Sequence, residues 1–410
     1  MGICNCRKSF IVFIIIFVVC LFLGEQAYAV NGTRELGFST RDSAMAGATT
    51  ASPEDTSCLV KNPAGLVWLG NRIDLSYQNI LIHDVTMHTE GALTNAGLRQ
   101  KSSINYLPAG NGGVSYRIPG TDKYPISVGF GAFTMAGLAD NFASSRMMTA
   151  LTGNYDKMMD LRSMRFAPGL AVAFNDKFSF GFTGNINLQA LRTNMATSTY
   201  AQTQGMGDWD FAPGGGFTLG LLYKFNEMLN LGATYESHQW MGHHYKYNDC
   251  LPYIDEPPVI SIGLALKPVK NVELTFDTRY INWRDTKSAG RGPGSGGFGW
   301  NDQWVFAVGG EYTYKEKLKL RLGYNYGKAP LQDDVVFANA LLSAATMEHH
   351  FTTGVSYQVT KKLSCDLTWE HHFMGVKADS GCGDVYSVNG AGTKITAAAD
   401  IISVGLGYKF

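Results

Sequence analysis

The sequence predicts an all-β fold, a transmembrane antiparallel β-barrel of about fourteen strands with an N-terminal hatch in its lumen. Three observations carry this prediction: an export signal at the start, apolar residues at every second position over most of the chain, and a polar, small-residue segment between the two. The composition, with 47 glycines and 12% aromatic residues, agrees with it. Glycine costs roughly 1 kcal/mol per helical position relative to alanine, whereas aromatic residues favour strands.

Residues 1–29 have the pattern of a signal peptide. Arg7 and Lys8 precede an apolar run at residues 10–23, and Ala27-Tyr28-Ala29 forms a small-x-small cleavage site. Because a membrane-spanning helix needs about 20 apolar residues, this run is short for an anchor. We expect cleavage after Ala29.

The strand pattern begins near residue 72 and is clearest at the C-terminal end. Ile402, Val404, Leu406, Tyr408 and Phe410 alternate with small or polar residues. Such alternation is typical of a strand with one apolar and one polar face, and a terminal phenylalanine after it is typical of bacterial outer-membrane barrels. The sequence therefore predicts localisation in the outer membrane.

Aromatic residues near the ends of the apolar faces indicate lipid on the outside of the barrel. They include Trp304, Tyr314, Tyr326, Tyr357 and Trp369. Lipid outside, a polar lumen inside and aromatic girdles at both interfaces account for this distribution. Closure follows because an open strand edge cannot be satisfied in hydrocarbon.

The links between strands alternate in length along the chain. Short links near residues 175–176, 225–227, 269–270 and 360–361 are expected to be periplasmic turns. Longer polar links are expected to be extracellular loops, near residues 138–160, 191–207, 241–256, 285–302, 328–346 and 375–398. The predicted organisation is a signal peptide at 1–29, a hatch at 30–71 and the barrel with its loops at 72–410.

The predicted hatch contains Phe38 and the run Asn62-Pro63-Ala64-Gly65. An asparagine before proline is kept out of the helical region and its side chain can close a turn, while Gly65 permits a positive φ. Together with the Gly-Phe start and the small residues at 43–48, this run resembles the long-chain fatty-acid outer-membrane transporters (FadL-type), which include channels for aromatic hydrocarbons. The resemblance extends over the whole mature chain.

The resemblance implies uptake of hydrophobic compounds through an outer capture site, a lumen pocket and a lateral exit. Long-chain fatty acids are the first expected ligand, and aromatic or aliphatic hydrocarbons are the alternative. The partners expected are these small molecules and outer-membrane lipid. Since the net charge is zero, nucleic acid is not expected to bind. We expect a monomer without cofactor or metal.

An outer capture groove is predicted in the link at 138–160, which is unusually apolar. Its candidate residues are Leu138, Phe142, Met147, Met148, Leu151, Met158 and Met159. Methionine suits ligands of variable shape because its side chain is flexible and polarizable, and exposed apolar patches mark interaction sites. A small helical subdomain that packs on itself is the alternative.

Arginines on the polar strand faces are candidates for a carboxylate head group, because a guanidinium matches the carboxylate fork. They are Arg321, Arg279 and Arg192, although Arg192 has the wrong strand parity unless a bulge intervenes. Most charged lumen residues are expected to pair with each other or with the hatch.

The resemblance also implies a wall opening at the third strand, and we predict that Gly129 and Gly131, where missing side chains leave room, border this lateral gate. Sideways exit keeps an apolar ligand out of water.

Other classes of protein remain as alternatives. A general diffusion porin would lack a plug. An enzyme is suggested by the pairs His243-His244, His349-His350 and His371-His372, but consecutive side chains on a strand point to opposite faces. No Gly-x-Ser-x-Gly or His-Glu-x-x-His motif is present, so no enzymatic activity is expected. A purely structural or adhesin role is a further alternative, and a disulfide between Cys250 and Cys382 is an open prediction.

Overall fold

A computed structural model describes residues 31–88, 99–142, 157–194, 207–248 and 251–410. The predicted signal peptide and Cys250 lie outside these residues. Among the described residues, no helix is long and apolar enough to cross a membrane.

Strands are the main secondary structure of the described residues. They are β1 (Arg72–His88), β2 (Arg99–Lys101), β3 (Tyr106–Arg117), β4 (Ile126–Phe142), β5 (Lys157–Phe166), β6 (Gly169–Ala173), β7 (Phe178–Thr193), β8 (Asp210–Lys224), β9 (Leu229–Glu236), β10 (Trp240–Met241), β11 (Val259–Val269), β12 (Val272–Ile281), β13 (Gln303–Tyr314), β14 (Leu318–Gly327), β15 (His349–Gln358), β16 (Leu363–Ala378) and β17 (Lys394–Lys409). The short helical turns are Thr40–Ala44, Cys58–Lys61, Pro63–Gly65, Leu66–Leu69, Tyr245–Tyr247, Trp283–Asp285, Pro293–Ser295, Ser343–Thr346 and Val385–Asn389.

The strands form one closed antiparallel sheet. β1 pairs with β17 from Arg72↔Lys409 to His88↔Lys394, which joins the two ends of the barrel. Three of the spanning strands are interrupted and consist of two segments each, namely β2 with β3, β5 with β6, and β9 with β10. Two segments count as one spanning strand because both pair with the same neighbouring strand. The segments therefore make fourteen spanning strands, and the predicted fold class is confirmed.

Side chains alternate between lipid and lumen as predicted. Trp304, Tyr314, Tyr357, Trp369 and Tyr408 point outward, with relative exposures between 41% and 54%. Trp304, Tyr314, Tyr357 and Tyr408 lie near the ends of their strands, where amphipathic rings suit the membrane interfaces. Trp369 lies in the middle of β16.

The segment before β1 lies inside the barrel as a hatch and is held there by buried charges. Arg41 contacts Glu273 of β12 at 3.1 Å and Glu311 of β13 at 3.6 Å. Asp277 of β12 accepts a hydrogen bond from the backbone nitrogen of Thr50 at 3.1 Å. Because buried charges need partners, these contacts fix the hatch to the wall.

The Asn62-Pro63-Ala64-Gly65 run is an anchor of this hatch. The Asn62 side-chain oxygen accepts from the Ala64 nitrogen at 3.2 Å, and its amide donates to Thr50 O at 2.7 Å and to Leu221 O of β8 at 3.0 Å. The φ of Gly65 is −68°, so the positive φ that glycine permits is not used here. Glycine is needed instead because a Cβ would collide with Pro53.

Two predicted polar loops turn inward rather than outward. In the links at 285–302 and 328–346, the side chains of Phe298, Trp300, Val336 and Leu342 are buried. They join wall residues in one large apolar cluster. Both links thus contribute buried apolar residues to the lumen, which corrects the expectation that they are polar, whereas their extracellular position stays a prediction.

Candidate functional site

The inward loops build an apolar cavity, here called the upper cavity. Trp283 and Trp300 meet edge to face, with ring centroids 5.0 Å apart, and the Phe298 and Trp300 rings are 5.7 Å apart. Met159 of β5 and Leu342 add further apolar side chains, and the lining also contains the charged residues Arg34, Asp255 and Glu256. The cavity volume is about 20 Å³, enough for roughly one water molecule. In this conformation the cavity is therefore too small for an organic ligand.

The structure places the predicted capture residues in different environments. Leu138 and Phe142 belong to β4 and Met159 belongs to β5, and all three are fully buried. Met158 is part-buried on the opposite face of β5 from Met159. Met147, Met148 and Leu151 lie outside the described residues. The link is therefore shorter than predicted, and the outer groove stays a prediction.

A second, polar cavity lies deeper in the lumen and is here called the central cavity. Arg34 lines both cavities, which makes them neighbours. Val259 and Ile281 provide apolar contact on the extracellular side, and the volume is about 30 Å³. The charged residues of its lining are Arg34, Glu35, Lys61, Glu236 and Arg279.

Two arginines hold the carboxylates on one side of the central cavity. Arg34 donates to both oxygens of Glu236, at 3.1 Å and 2.7 Å. Arg165 of β5 lies 3.0 Å from Glu236 and 2.9 Å from Glu256. All four side chains are buried. Because two guanidinium groups are paired with two carboxylates, the network carries no net charge.

Lys61 and Arg279, on another side of the central cavity, are less well partnered. The nearest oxygens to Lys61 Nζ are Leu36 O at 3.5 Å and Asp42 Oδ1 at 3.6 Å. Burial, reinforced by the positive charge of Arg279, lowers the pKa of Lys61 to about 8. Arg279 donates to Gly47 O at 2.5 Å. Among the described residues, no carboxylate oxygen lies within 4 Å of its guanidinium nitrogens.

The other two head-group candidates are already engaged. Arg321 donates to Glu311 at 2.7 Å and also bonds Ser356. Arg192 points away from the lumen, contacts Asp160 at 3.0 Å and stacks 4.7 Å from the Trp209 ring. The strand parity therefore excludes Arg192 from a lumen site, and Arg279 is the one of the three that faces the central cavity.

The seam between β3 and β4 opens partway up the wall. Its ladder ends at the pair Gly112↔Ala132. Above this pair, the Thr134 nitrogen bonds the Asn111 side chain at 2.7 Å instead of a backbone oxygen.

Backbone contact across this seam returns near the extracellular end, where Ser103 N donates to Asn141 O at 2.8 Å. Between these points β4 stays paired with β5, with a register shift between Thr134 and Ala136. This stretch of unpaired β3–β4 wall is here called the seam gap.

Gly129 and Gly131 lie in the paired part of the seam, just below the gap, opposite Ser115 and Gly113. A Cβ on Gly129 would lie 2.9 Å from Leu66 and 3.1 Å from Leu59. The missing side chain at Gly129 therefore makes room for the hatch. A role of these glycines as gate residues stays a prediction.

A buried titratable cluster was missed by sequence reasoning. His350 and His372 both face the lumen, with ring centroids 4.9 Å apart, because β15 and β16 pair them directly. His372 lies 3.3 Å from Glu370. Burial, together with the nearby negative charge of Glu370, raises the pKa of the hatch residue Glu35. Only the strand register, which sequence does not supply, brings these groups together.

Phe38, the remaining predicted hatch residue, lines a third cavity of about 350 Å³ at the periplasmic end. Lys61 lies 5.8 Å from the centroid of its ring.

The family model described as "Outer membrane protein transport protein (OMPP1/FadL/TodX)" matches residues 25–410. The chain belongs to this family. Proteins of the OMPP1/FadL/TodX family transport hydrophobic small molecules through the outer membrane and are channels rather than enzymes. The predicted outer-membrane location and the predicted family are thereby confirmed. No curated protein sequence matches the chain.

Solved structures of this OMPP1/FadL/TodX fold superpose on the whole barrel. The P. putida toluene transporter TodX has a TM-score of 0.67 at 18% identity, covering 92% of this chain and 99% of its own. A Pseudomonas aeruginosa FadL homologue has a TM-score of 0.67 at 16% identity, and the match covers 92% of this chain and 100% of the homologue. The Ralstonia pickettii toluene transporter TbuX has a TM-score of 0.62 at 16% identity, and the match covers 92% of this chain and 99% of TbuX. At these identities the likeness shows a common fold.

Proposed function

We propose that this channel takes up hydrophobic compounds, with long-chain fatty acids as the first class, through the outer capture groove, the upper cavity and a lateral exit. The observation that carries the proposal is the upper cavity beside a discontinuous wall. A lumen lined by Trp283, Trp300 and Leu342 suits an apolar ligand. The seam gap above Gly112 and Ala132 offers such a ligand a way into the bilayer.

The energetics of exit favour the bilayer over the periplasm. Burial of about fifteen methylenes contributes on the order of 12 kcal/mol at ~0.8 kcal/mol each. Release into periplasmic water would forfeit this free energy, whereas sideways exit would retain it. The hatch also obstructs the direct route, since its charges are tied to β12 and β13.

Aromatic hydrocarbons are the second candidate class. The edge-to-face contact of Trp283 and Trp300 presents ring faces and edges that suit a small aromatic ligand. Toluene is the substrate named for two of the structural neighbours, TodX and TbuX.

Mass spectrometry of the hydrophobic molecules that copurify with the detergent-extracted protein tests the proposal. Bound fatty acids, absent from a variant that lacks the hatch at 31–69, are expected. Bound neutral hydrocarbons would move the assignment to the second class. No bound apolar molecule, together with steady conductance of small hydrophilic solutes by the intact protein, would overturn the proposal in favour of a diffusion porin.

A further inference from the structure

The third cavity, which Phe38 lines at the periplasmic end, is here called the lower cavity. Its volume is about 350 Å³, which falls within the range of about 300–1,000 Å³ that is usual for small-molecule pockets. The upper and central cavities, by comparison, have only about 20 Å³ and 30 Å³. The lower cavity lies between the hatch and the wall, chiefly β1 and β14 to β17. The proposed uptake route makes no use of this space.

The charged groups deep in the lower cavity already have partners. Glu54 contacts Arg41 at 3.1 Å and Lys319 at 2.7 Å, and Arg321 contacts Glu311 at 2.7 Å. The other carboxylates of the lining are engaged as well, Asp74 by Arg72, Asp55 by Ser39 and Ser57, Asp366 by Ser356, and Glu316 by Lys270. Each carboxylate of the lining therefore already has a cation or a hydrogen-bond donor.

Three lysines of the lining, at the mouth of the lower cavity, have no such partner. They are Lys317, Lys362 and Lys409, and no carboxylate oxygen of the described residues lies within 4 Å of their ammonium groups. Lys362 and Lys409 lie opposite each other on β16 and β17, since the Lys409 nitrogen donates to Lys362 O at 2.8 Å. Like charges directly opposite each other on neighbouring strands are destabilising. An anion between them would remove this repulsion.

These three lysines lie on the lumen side of the wall. On β17, Leu406 and Tyr408 face the lipid, with exposures of 52% and 43%, so Lys409 belongs to the opposite face by alternation. Lys317 lies opposite Gln358, whose nitrogen donates to Lys317 O at 2.8 Å, and both residues line the cavity. Lipid head groups of the surrounding bilayer are on the other side of the wall. The partner that fits these lysines is therefore a water-soluble anion.

The periplasmic rim beside the mouth is also basic. The turns at 269–271, 315–317 and 359–362 carry the exposed lysines Lys270, Lys315, Lys317, Lys361 and Lys362 and a single carboxylate, Glu316. Glu316 contacts Lys270 at 3.4 Å, away from the mouth. A cleft lined by one sign of charge concentrates counter-ions, because its low-dielectric walls focus the field. This rim therefore attracts anions towards the lower cavity.

We propose that the lower cavity binds a small multivalent anion, bearing several phosphate or carboxylate groups, between Lys317, Lys362 and Lys409. The ammonium group suits this task because it is a compact charge with three rotatable donors. The Ser364 hydroxyl, which lines the same cavity, supplies a further donor. This site is separate from the uptake of hydrophobic compounds, so neither proposal depends on the other.

Calorimetric titration of the full-length protein, in an uncharged detergent, with tripolyphosphate tests the inference. Lys317→Gln combined with Lys362→Gln should raise the Kd at least about tenfold, since two charge-assisted contacts are lost. The matched control is Lys123→Gln combined with Lys177→Gln, because these lysines are equally exposed on other turns and do not line the cavity. Its Kd should stay within about twofold of that of the unmodified protein, and added salt should weaken binding through screening.

A second measurement uses the unmodified protein and does not depend on the folding of a variant. Tripolyphosphate should slow acetylation of Lys317, Lys362 and Lys409 by an N-hydroxysuccinimide ester, followed by mass spectrometry, because a bound anion covers these amines. Acetylation of Lys123 and Lys177 should not change. Absence of binding, equal protection of all five lysines, or equal loss of affinity in the two double variants would overturn the inference. Binding of a hexaglutamate peptide without binding of tripolyphosphate would overturn it in favour of an acidic protein partner.

Discussion

Arg34 of the hatch and Glu236 of β9 form a buried two-point ion pair, with nitrogen–oxygen distances of 3.1 Å and 2.7 Å. Arg165 approaches the same carboxylate from the wall at 3.0 Å. Glu236 therefore joins the hatch to two different strands. Removing one partner of a buried ion pair destabilises a protein more than replacing the whole pair with apolar residues of similar volume.

Replacement of Glu236 with glutamine should loosen the hatch. It leaves the buried guanidinium of Arg34 without its carboxylate partner and Arg165 with Glu256 alone, and breaking such a pair typically costs about 3–5 kcal/mol. The expected result is a lower thermal unfolding midpoint in detergent and more frequent open-channel conductance events. Glu316→Gln is the control, because its pair with Lys270 is solvent-exposed. Equal behaviour of the two variants would show that the buried pair does not retain the hatch.

Gly65→Ala should destabilise the protein by about 1–3 kcal/mol, the usual cost of inserting a methyl group into packed structure. A Cβ there would collide with Pro53, although the φ of −68° is ordinary for any residue. Thermal unfolding of the purified variant measures the effect. Gly292→Ala is the matched control, since its φ is −67° and nothing lies within 4 Å of the new Cβ. An unchanged midpoint for Gly65→Ala would mean that Pro53 moves aside freely.

A disulfide across the upper end of the seam gap should slow uptake. Ser103→Cys combined with Asn141→Cys places two thiols on residues whose backbones are joined by a 2.8 Å hydrogen bond, and non-reducing electrophoresis of the purified variant checks that the disulfide forms. Uptake of labelled hexadecanoate by cells should fall under oxidising conditions and recover with reductant. The control pair Val114→Cys and Phe130→Cys joins residues of the continuous ladder. Uptake that is insensitive to the first disulfide would argue for another exit.

The extracellular loop after β10 should loosen in acid. Burial lowers the pKa of His244 to about 4, and its ring contacts Gln189 of β7 at 2.9 Å. Since the folded pKa lies below the ordinary value of about 6.5, the stabilising contribution is complete above that value and is lost as the pH falls towards 4. Hydrogen exchange of residues 242–248 at pH 7 and at pH 4.5 measures this. His244→Gln should remove most of the difference, and a pH effect that persists in this variant would point to other groups.

The barrel could be predicted from sequence because the alternation of lipid-facing and lumen-facing residues can be read along each strand by itself. Alternation at Ile402, Val404, Leu406 and Tyr408 indicates the two faces of β17 directly, and the same parity argument predicts the outward position of Arg192. A strand in lipid has little freedom to depart from this pattern.

The candidate site was less predictable because it depends on contacts between distant segments. Lys61 lies in a segment without alternation, so nothing in its neighbourhood indicates that it faces Arg279. The link at 328–346 mixes Asp333 and Asn339 with Val336 and Leu342, a composition that resembles a surface loop. Its burial follows from the cavity that the barrel offers, which is a property of the whole fold.

The inward position of these loops divides the protein into two parts that are subject to different constraints. The wall must satisfy the membrane, whereas Trp300 and Leu342, which line the upper cavity, belong to connections that are under no such constraint. Connections generally tolerate replacement better than the framework that carries them. Selection or a designer could therefore retune what the channel admits by exchanging two short stretches of chain, while assembly in the membrane continues unchanged.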